Sequence, residues 1–537
     1  RIGEVKWKGI RCIALVQENH AGGWQNAAGY VARIVATNSK LIGMFAYPKM
    51  IAADARDGME YPMITLDGGS DPGFISLFTH EISHNWFFGM VGTNETYRPF
   101  MDEGFTQFYS AYTWEHFVGL NDLFYVDKKE KYLTKYSKPT LVRESDAYMS
   151  YYNSVYRNEE VTLNTHSDGF NGALRQGGGY GQVYGKTATM LYNLQYVLGD
   201  SLFDAAMQNY FNQWKMCHPY PEDMRNSFIQ FTHADLNWFF DEWLETTKTI
   251  DYKVKKVKKT DGNKYAITFE RKATSMQMPI DFTVFSSDSA PVNYHIPNTW
   301  FVKKTSAKVL PRWIGWDKTK KTYTAVVEVK GKIKNVVIDT TSRLADINYM
   351  NNSWKKNIAF EFDSKIWNLP NRKKYELYAR PALWYNGYDG IKFGANANGN
   401  YLGVKHVFDA TFYVNTGLAP SGLDSNAFVN QFDHVSFLFS YKTETSKFIK
   451  KSNFYANIKI ADGLQSVLLG FDKKSNNDKN RYYLHVKGML RDLASDKNYL
   501  LFKNDWQIGK LNNAIHVGMD RNYSYRRGNG AMNINLR

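Results

Sequence analysis

Cysteine is scarce in this 537-residue chain, which contains only Cys12 and Cys217. Two thiols cannot build a disulfide framework or supply the thiolates of a structural zinc site. Any metal site in this chain is therefore expected to use histidine and carboxylate side chains. Cys217 lies beside a histidine at a predicted helix boundary, and we expect its thiol to be buried.

Long apolar runs are also absent. No stretch of about 18 or more apolar residues occurs, so the sequence predicts no transmembrane helix. The first residues, RIGEVKWKGIRCIALV, lack the hydrophobic region and small-residue cleavage site of a signal peptide. Arg1 in place of an initiator methionine predicts a processed chain or a fragment, so targeting signals indicate no compartment.

The composition excludes a disordered protein or a coiled coil, because 43% of residues are hydrophobic and 22% are charged. Lys and Arg number 67 against 52 Asp and Glu, a formal charge of +15. Such a balance can indicate nucleic acid or an anionic membrane surface. Here the lysines are scattered, and their densest run, residues 253–259, alternates with valines as the solvated face of a strand does. We therefore expect no nucleic-acid partner.

Hydrophobic periodicity divides the chain into three zones and predicts a multidomain α+β protein. Residues 1–250 begin as a small mixed α/β segment and become largely helical from Pro72, with Pro99 opening a second helix. Residues 251–350 contain β-rich runs typical of a β-sandwich. Residues 351–537 are predicted to form a further antiparallel β-rich C-terminal domain.

The alternation in this third zone leaves two interpretations open. One is a soluble or partly buried sheet, and the other is a barrel-like membrane domain. Membrane strands need about 9–11 residues with one apolar face and aromatic girdles. Several strands reach that length, although many carry charges. Membrane association through the C-terminal β region therefore remains an alternative, with the periplasm or outer membrane as the expected location.

The stretch FTHEISHNWFFGM carries the strongest chemical signal in the chain. His80 and His84 are four residues apart on a predicted helix, so both imidazoles project from one face. Glu81 lies between them, as in the H-E-x-x-H signature, where the histidines bind zinc and the glutamate acts as general base. A pattern of five residues also arises by chance, and a helical histidine pair can simply belong to a surface or a core.

A third candidate ligand follows at a fitting distance along the chain. A catalytic zinc ion takes three protein ligands and leaves one position open for water. Glu103 follows His84 after eighteen intervening residues, at the start of the next predicted helix. Two helices joined by a short loop could bring this carboxylate opposite the histidine pair. The competing interpretation is a first-turn carboxylate that stabilises the helix dipole.

These residues resemble the gluzincin aminopeptidases, the family that includes aminopeptidase N and leukotriene hydrolase. The family pattern is H-E-x-x-H, eighteen residues, then a glutamate in an N-E-G-F context; here Asp102 stands in place of that asparagine. Upstream, the family has G-x-M-E-N, whose glutamate holds the substrate amine. The corresponding residues here are D-G-M-E-Y, in which Asp57 and Tyr61 depart from the family pattern.

The resemblance, over roughly residues 1–345, implies one Zn²⁺ held by His80, His84 and Glu103, with Glu81 as general base. It assigns the oxyanion donor to Tyr184, in Tyr184-Gly-Lys-Thr, and the amine-binding role to Glu60. Tyr180 is an alternative donor, and either tyrosine can be a core residue. The family's N-terminal β-domain is missing, so we expect a fragment or a site completed by a separate piece.

The predicted function is zinc-dependent peptide hydrolysis, with removal of N-terminal residues favoured and peptides as partners. One alternative is epoxide hydrolysis on the same zinc scaffold, as in leukotriene hydrolase. The other is a non-catalytic envelope or assembly module in which the zinc domain is secondary. The sequence leaves side-chain preference and oligomeric state open.

Overall fold

The computed structural model of the chain describes residues 1–56, 58–122, 130–170, 179–272, 275–314, 320–387, 389–418, 433–445, 448–461, 463–475, 479–491, 509–525 and 528–536. Asp57, in the predicted amine-binding motif, lies outside these residues.

The chain forms two compact units. Unit 1 comprises Arg1–Val155 and Glu159–Lys355, and unit 2 comprises Tyr156–Asn158 and Lys356–Arg537. The helices and several separate sheets confirm the predicted multidomain α+β class. The finer division at residues 250 and 350 stays a prediction.

Unit 1 begins with a five-stranded sheet in the order β1-β2-β3-β5-β4. Its strands are β1 (Ile2–Trp7), β2 (Ile10–Leu15), β3 (Lys49–Asp54), β4 (Met59–Tyr61) and β5 (Ile64–Asp67). Helix α1 (Ala27–Leu41) connects the parallel strands β2 and β3 and buries its Val31, Ile34 and Val35. β4 pairs with β5 at one edge of the sheet, which places Glu60 there.

Helices dominate the next part of unit 1, as predicted. They are α2 (Ile75–Ser83), α3 (Glu103–Val118), α4 (Lys131–Tyr136), α5 (Met149–Arg157), α6 (Gln182–Leu198), α7 (Asp200–Trp214), α8 (Pro221–Thr232) and α9 (Asn237–Glu245), with a short β6 (Asn121–Asp122) and β7 (Thr140–Leu141) pair between α3 and α5. α3 packs on α6, where the Phe108 and Tyr192 rings lie 4.7 Å apart. Among the described helices, none has the length and apolar character needed to cross a membrane.

The predicted helix boundaries hold within a few residues. α2 begins at Ile75 rather than at Pro72, because residues 71–74 form a turn. Pro99 opens a single 3₁₀ turn before α3. α6 ends at Leu198 because Gly199 takes φ +82°, a conformation suited to glycine. Cys217 is exposed after the end of α7, so the prediction of a buried thiol is wrong.

Two facing sheets complete unit 1 and confirm the predicted β-sandwich. One contains β8 (Tyr252–Lys259), β9 (Lys264–Arg271) and β13 (Thr322–Glu328); the other contains β10 (Ile280–Ser286), β11 (Val292–Ile296), β12 (Lys308–Val309) and β14 (Ile333–Ile338). Phe269 of one sheet and Phe282 of the other bring their rings within 4.7 Å. A short helix, α10 (Tyr349–Asn352), follows them.

Unit 2 contains one ten-stranded sheet in sequence order from β15 to β24. Its strands are β15 (Ile358–Phe362), β16 (Tyr375–Asn386), β17 (Gly390–Tyr401), β18 (Lys405–Asn415), β19 (Val435–Glu444), β20 (Ser452–Ala461), β21 (Leu464–Lys474), β22 (Asn480–Arg491), β23 (Leu511–Tyr525) and β24 (Gly528–Leu536). All neighbouring pairs are antiparallel except β15 and β16, which run parallel. The predicted antiparallel β-rich region is therefore present.

Candidate metal centre and active site

The H-E-x-x-H residues lie at the C-terminal end of α2. Ile75, Phe78 and Ile82 bury one side of this helix against the core. His84 follows the last helical residue but keeps helical backbone angles, at φ −55° and ψ −25°. The four-residue spacing therefore directs His80 and His84 to the same side, as the sequence predicts.

Three predicted ligand atoms meet at one point. His80 Nε2 lies 3.2 Å from His84 Nε2, and each lies 3.3 Å from Glu103 Oε2. Glu103 reaches them from the first residue of α3. The structure thus brings together all three predicted ligands.

These separations fit a zinc ion. Zinc bonds of about 2.0–2.2 Å in a tetrahedral arrangement place neighbouring ligand atoms about 3.3–3.6 Å apart. The observed 3.2–3.3 Å nearly matches that range. Two imidazole nitrogens and one carboxylate oxygen are also a donor set that suits zinc. The residues present therefore could hold this metal.

Asp102 contacts the Nδ1 side of the His84 ring, whereas Glu103 lies on the Nε2 side. Its Oδ1 lies 2.6 Å from His84 Nδ1, and both side chains are buried. Burial opposes protonation of His84, but the charge and hydrogen bond of Asp102 raise the pKa of that imidazole well above its usual value. When Nδ1–H donates to this carboxylate, the lone pair of Nε2 faces Glu103. The residue that departs from the family pattern therefore contacts a candidate metal ligand.

Glu81 is buried beside these residues. Among the described residues its Oε2 has no hydrogen-bond partner. A Cβ atom on Gly58 would lie 2.6 Å from Glu81 Oε1, so a residue larger than glycine would press on this carboxylate. Burial raises the pKa of Glu81 to about 8, and the negative charge of Asp67 acts in the same direction. A cation bound nearby would oppose that shift.

Glu60 stands on β4 next to the same centre. Its carboxylate oxygen, one from Glu81 and a ring nitrogen of His84 all lie within 4.8 Å of one another. Glu60, Glu95 and Asp102 form a second such group. Burial raises the pKa of Glu60 above its usual value and that of Glu95 to about 7, the latter also under the charge of Glu60.

Tyr184 reaches the centre from the first turn of α6. Its hydroxyl donates to Glu103 Oε1 at 2.5 Å, and its ring lies 5.9 Å from that of His80. Burial, followed by the charge of Glu103, raises the pKa of Tyr184 far above its usual value. The Tyr180 ring lies 6.3 Å from that of Tyr184, and burial raises its pKa to about 12. Both candidate donors therefore remain neutral near pH 7.

Sequence reasoning missed Glu95 and the role of Asp102. Glu95 lies inside the eighteen-residue spacer, where no periodicity or motif marks it. It also missed how Lys186 anchors α6: this amine is buried and donates to the carbonyls of Val161, at 2.7 Å, and Thr246, at 3.2 Å. A lysine two residues after Tyr184 was the available signal.

A His-His-Glu group, a buried glutamate beside it and a helical domain followed by a β-sandwich agree with the metallopeptidase class that the sequence predicts. Comparison with known families specifies the class further. Residues 71–243 match the family described as the peptidase family M1 domain. The resemblance to the gluzincin aminopeptidases is thereby confirmed.

Among solved structures, the chain is similar to the crystal structure of Legionella pneumophila aminopeptidase A in complex with aspartic acid. The two share 12% sequence identity with a TM-score of 0.45. The match covers 66% of this chain and 40% of that one, so the present sequence spans less than half of the Legionella protein. No curated protein matches the sequence.

Proposed function

We propose that this chain hydrolyses peptides with one zinc ion held by His80, His84 and Glu103, and that it removes N-terminal residues. The observation that carries the proposal is the mutual separation of 3.2–3.3 Å among the three ligand atoms, with Glu81 beside them. When bound, zinc polarises the scissile carbonyl and lowers the pKa of a water molecule toward about 7.

Glu81 acts as general base in this proposal. It follows a ligand directly in sequence, and its Oε2 has no other hydrogen-bond partner among the described residues. Its carboxylate takes a proton from the attacking water as the oxygen bonds to the carbonyl carbon. It then returns that proton to the leaving amine as the carbon–nitrogen bond breaks.

Tyr184 is the proposed donor to the oxyanion. Its hydroxyl lies beside the ligand Glu103 and stays protonated near pH 7, as a donor must. A substrate that displaces this hydrogen bond would receive the hydroxyl proton on its developing negative charge. Tyr180 lies four residues earlier, in the turn before α6, and is the alternative donor.

Glu60 is the proposed partner of the peptide's α-ammonium group. It is partly buried, and one of its carboxylate oxygens lies within 4.8 Å of a carboxylate oxygen of Glu81 and of a ring nitrogen of His84. A positive group held there places the first peptide bond next to the base. Glu95 adds a second carboxylate to that corner, which strengthens the attraction for a cation.

One experiment tests both parts of the proposal. A fluorogenic peptide with a free amine and its N-acetylated twin are assayed on the wild type, Glu81→Gln and Glu60→Ala, with zinc content measured for each. Wild type should favour the free amine and lose activity with a chelator. Glu81→Gln should keep zinc and lose turnover, and Glu60→Ala should lose most of the preference.

Other outcomes would support the rival functions. Equal rates of the wild-type protein on the two peptides would indicate an endopeptidase. If neither peptide is cleaved, hydrolysis of another kind of bond, such as an epoxide, would be favoured. Zinc binding without any hydrolysis would favour a non-catalytic module. Near wild-type turnover of Glu81→Gln would mean that another group is the base.

A further inference from the structure

The ten-stranded sheet of unit 2 exposes apolar side chains along one face. Leu383, Phe393, Val414 and Val435 pair directly across β16 to β19. Each is exposed, from 45% for Val435 to 67% for Leu383. Side chains paired in this way stand on the same side of a sheet.

A second row continues the same face across the other half of the sheet. Phe454, Phe471, Leu484, Val517 and Leu536 pair in turn from β20 to β24. The last three are exposed by 45–71%. The two rows together define what we call the apolar face, which extends across nine neighbouring strands.

The opposite face carries polar groups that bind one another. Asn398, Asp409, Ser440 and Asn457 pair across β17 to β20, one position along from apolar residues. Nearby, Asn396 Nδ2 donates to Asp409 at 2.9 Å and to Thr411 at 2.8 Å.

Several polar side chains on this second face are buried, including Lys392 and Asp472. Lys392 donates to Asp389 and, at 3.1 Å, to Ser436, and Arg481 donates to Asp472 at 2.6 Å. The sheet therefore buries hydrogen-bonded polar groups and exposes apolar ones. This is the reverse of a sheet that packs its apolar face on a core in water.

Charge is also divided between the faces. In the described strands, Lys473 and Arg521 are the Lys, Arg, Asp and Glu residues that share the alternation of the apolar face. Lys473 pairs with Tyr482 at an end of its strand. No other described position of the apolar face carries a Lys, Arg, Asp or Glu side chain.

The dimensions of the apolar face exceed those of an ordinary surface patch. Strands spaced about 4.8 Å apart give nine of them a width of about 40 Å. Strands β16 to β22 have 10–12 residues each, as long as strands that cross the hydrocarbon of a bilayer. The largest apolar patch on a typical soluble monomer is only about 300–600 Å².

We propose that the apolar face contacts the acyl chains of a lipid bilayer. Acyl chains offer no hydrogen bonds and no counter-charges, and within the described strands only Lys473 and Arg521 bring charge to this face. A surface that binds another protein usually combines apolar and polar groups and is surrounded by a polar rim. Polar side chains on the other face, such as Asn396 and Lys392, hydrogen-bond to neighbouring side chains, whereas the first face presents mainly apolar side chains to lipid.

The test uses the full chain with Cys217→Ser, which removes the exposed thiol. Cys12 can stay because it is fully buried. Single cysteines replace Val414 or Leu484 on the apolar face, and Ser440, which is exposed on the opposite face, as the matched control. Each carries an environment-sensitive fluorophore, and the protein is reconstituted with uncharged phosphatidylcholine vesicles. Uncharged lipid excludes simple attraction to the basic chain.

Brominated acyl chains in those vesicles should quench the probes at 414 and 484 and leave the probe at 440 unchanged. Leu484→Lys and Val517→Lys should lower vesicle association at least about tenfold, while Ser440→Lys should not. Far-UV circular dichroism and zinc content check that each variant is folded.

Equal quenching on both faces, or a protein that stays in the aqueous fraction, would overturn the proposal. Loss of monomers with rising concentration, blocked by Leu484→Lys, would replace lipid by a second copy of the chain. Neither result depends on peptidase activity, so the proposal fails or holds separately from the proposed function.

Discussion

At the scale of single residues, the candidate centre depends on which atom each carboxylate touches. Glu103 contacts both ligand histidines, Asp102 contacts His84 from the other side, and Glu81 has a free oxygen among the described residues. Glu60 stands nearby without an ion-pair partner among the described salt bridges. Four acidic residues therefore take different roles because their neighbours differ.

The first residue-scale prediction concerns pH and Glu60. Burial raises its pKa, and only the ionised form attracts an ammonium group. As the pH falls below that pKa, kcat/KM for a free-amine peptide should fall about tenfold per unit relative to its acetylated twin. Between that pKa and the pKa of the peptide's own α-amine, about 8, the preference should be constant. In Glu60→Gln the ratio should not change with pH, and an unchanged slope there would contradict the assignment.

The second prediction separates the two tyrosines. Tyr184→Phe removes the hydroxyl that lies 2.5 Å from Glu103 and should lower kcat about 10²–10³-fold, with zinc content unchanged. Tyr180→Phe is the matched control and should change kcat far less. Steady-state kinetics and metal analysis measure both. The roles are reversed if Tyr180→Phe suffers the larger loss.

The third prediction concerns Asp102 and metal affinity. Asp102→Ala removes the acceptor 2.6 Å from His84 Nδ1 and should weaken zinc binding about 10–100-fold. Asp102→Asn keeps an oxygen that can accept from Nδ1–H, so its loss should be smaller. Competition with a chromogenic chelator measures both affinities. Equal affinity in wild type and Asp102→Ala would mean that this contact does not orient the ligand.

At the scale of elements, three helices and one edge strand carry the candidate residues. α2 holds His80 and Glu81, α3 begins with Glu103, and α6 presents Tyr184 in its first turn. The approach of α3 to α6 requires Gly104, since a Cβ there would lie 2.2 Å from Thr187 Cβ. Helix packing at this contact sets the distance between Tyr184 and Glu103.

The element-scale prediction compares two helical glycines. Gly104→Ala should destabilise unit 1 by about 1–3 kcal/mol, because Thr187 is buried and cannot move away freely. Gly29→Ala is the control, since its Cβ would meet nothing within 4 Å in α1. That change should be neutral or stabilising by up to about 1 kcal/mol. Thermal unfolding measures both, and similar midpoints would contradict a tight α3–α6 contact.

At the scale of the whole molecule, the two units have different surface chemistry. Unit 1 buries its apolar residues around the helices and the sandwich, with the candidate centre among them. The sheet of unit 2 exposes apolar rows and buries polar ones. The proposed peptidase chemistry and the proposed lipid contact therefore belong to different units.

The whole-molecule prediction follows from this division. A chain that ends at Lys355 contains every candidate ligand and catalytic residue, and a compact unit with its own core can fold alone. It should bind one zinc per chain and keep peptidase activity, and it should lose association with phosphatidylcholine vesicles. Metal analysis, the peptide assay and flotation on a density gradient measure these. Loss of zinc from a folded fragment would show that unit 2 supports the centre.

Much of unit 1 is predictable because its signals are local. Helical spacing places His80 and His84 together, and Pro99 lies within a few residues of the start of α3, as predicted. The prediction is less accurate at the start of α2, because a turn at residues 71–74 delays the helix. It is wrong at Cys217, because an apolar thiol near a predicted helix carries no information about which side faces solvent.

The sequence by itself determined the candidate donor set, its spacing and the helical or β-rich character of each zone, since these depend on residue type and on periodicity along the chain. Only the tertiary structure decided that Asp102 holds His84, that Gly58 lies against Glu81 and that Glu95 joins Glu60. It also decided that the sheet of unit 2 exposes its apolar side, because alternation separates two faces without stating which one meets solvent. Contacts between distant segments follow from how elements pack, and no local pattern records them.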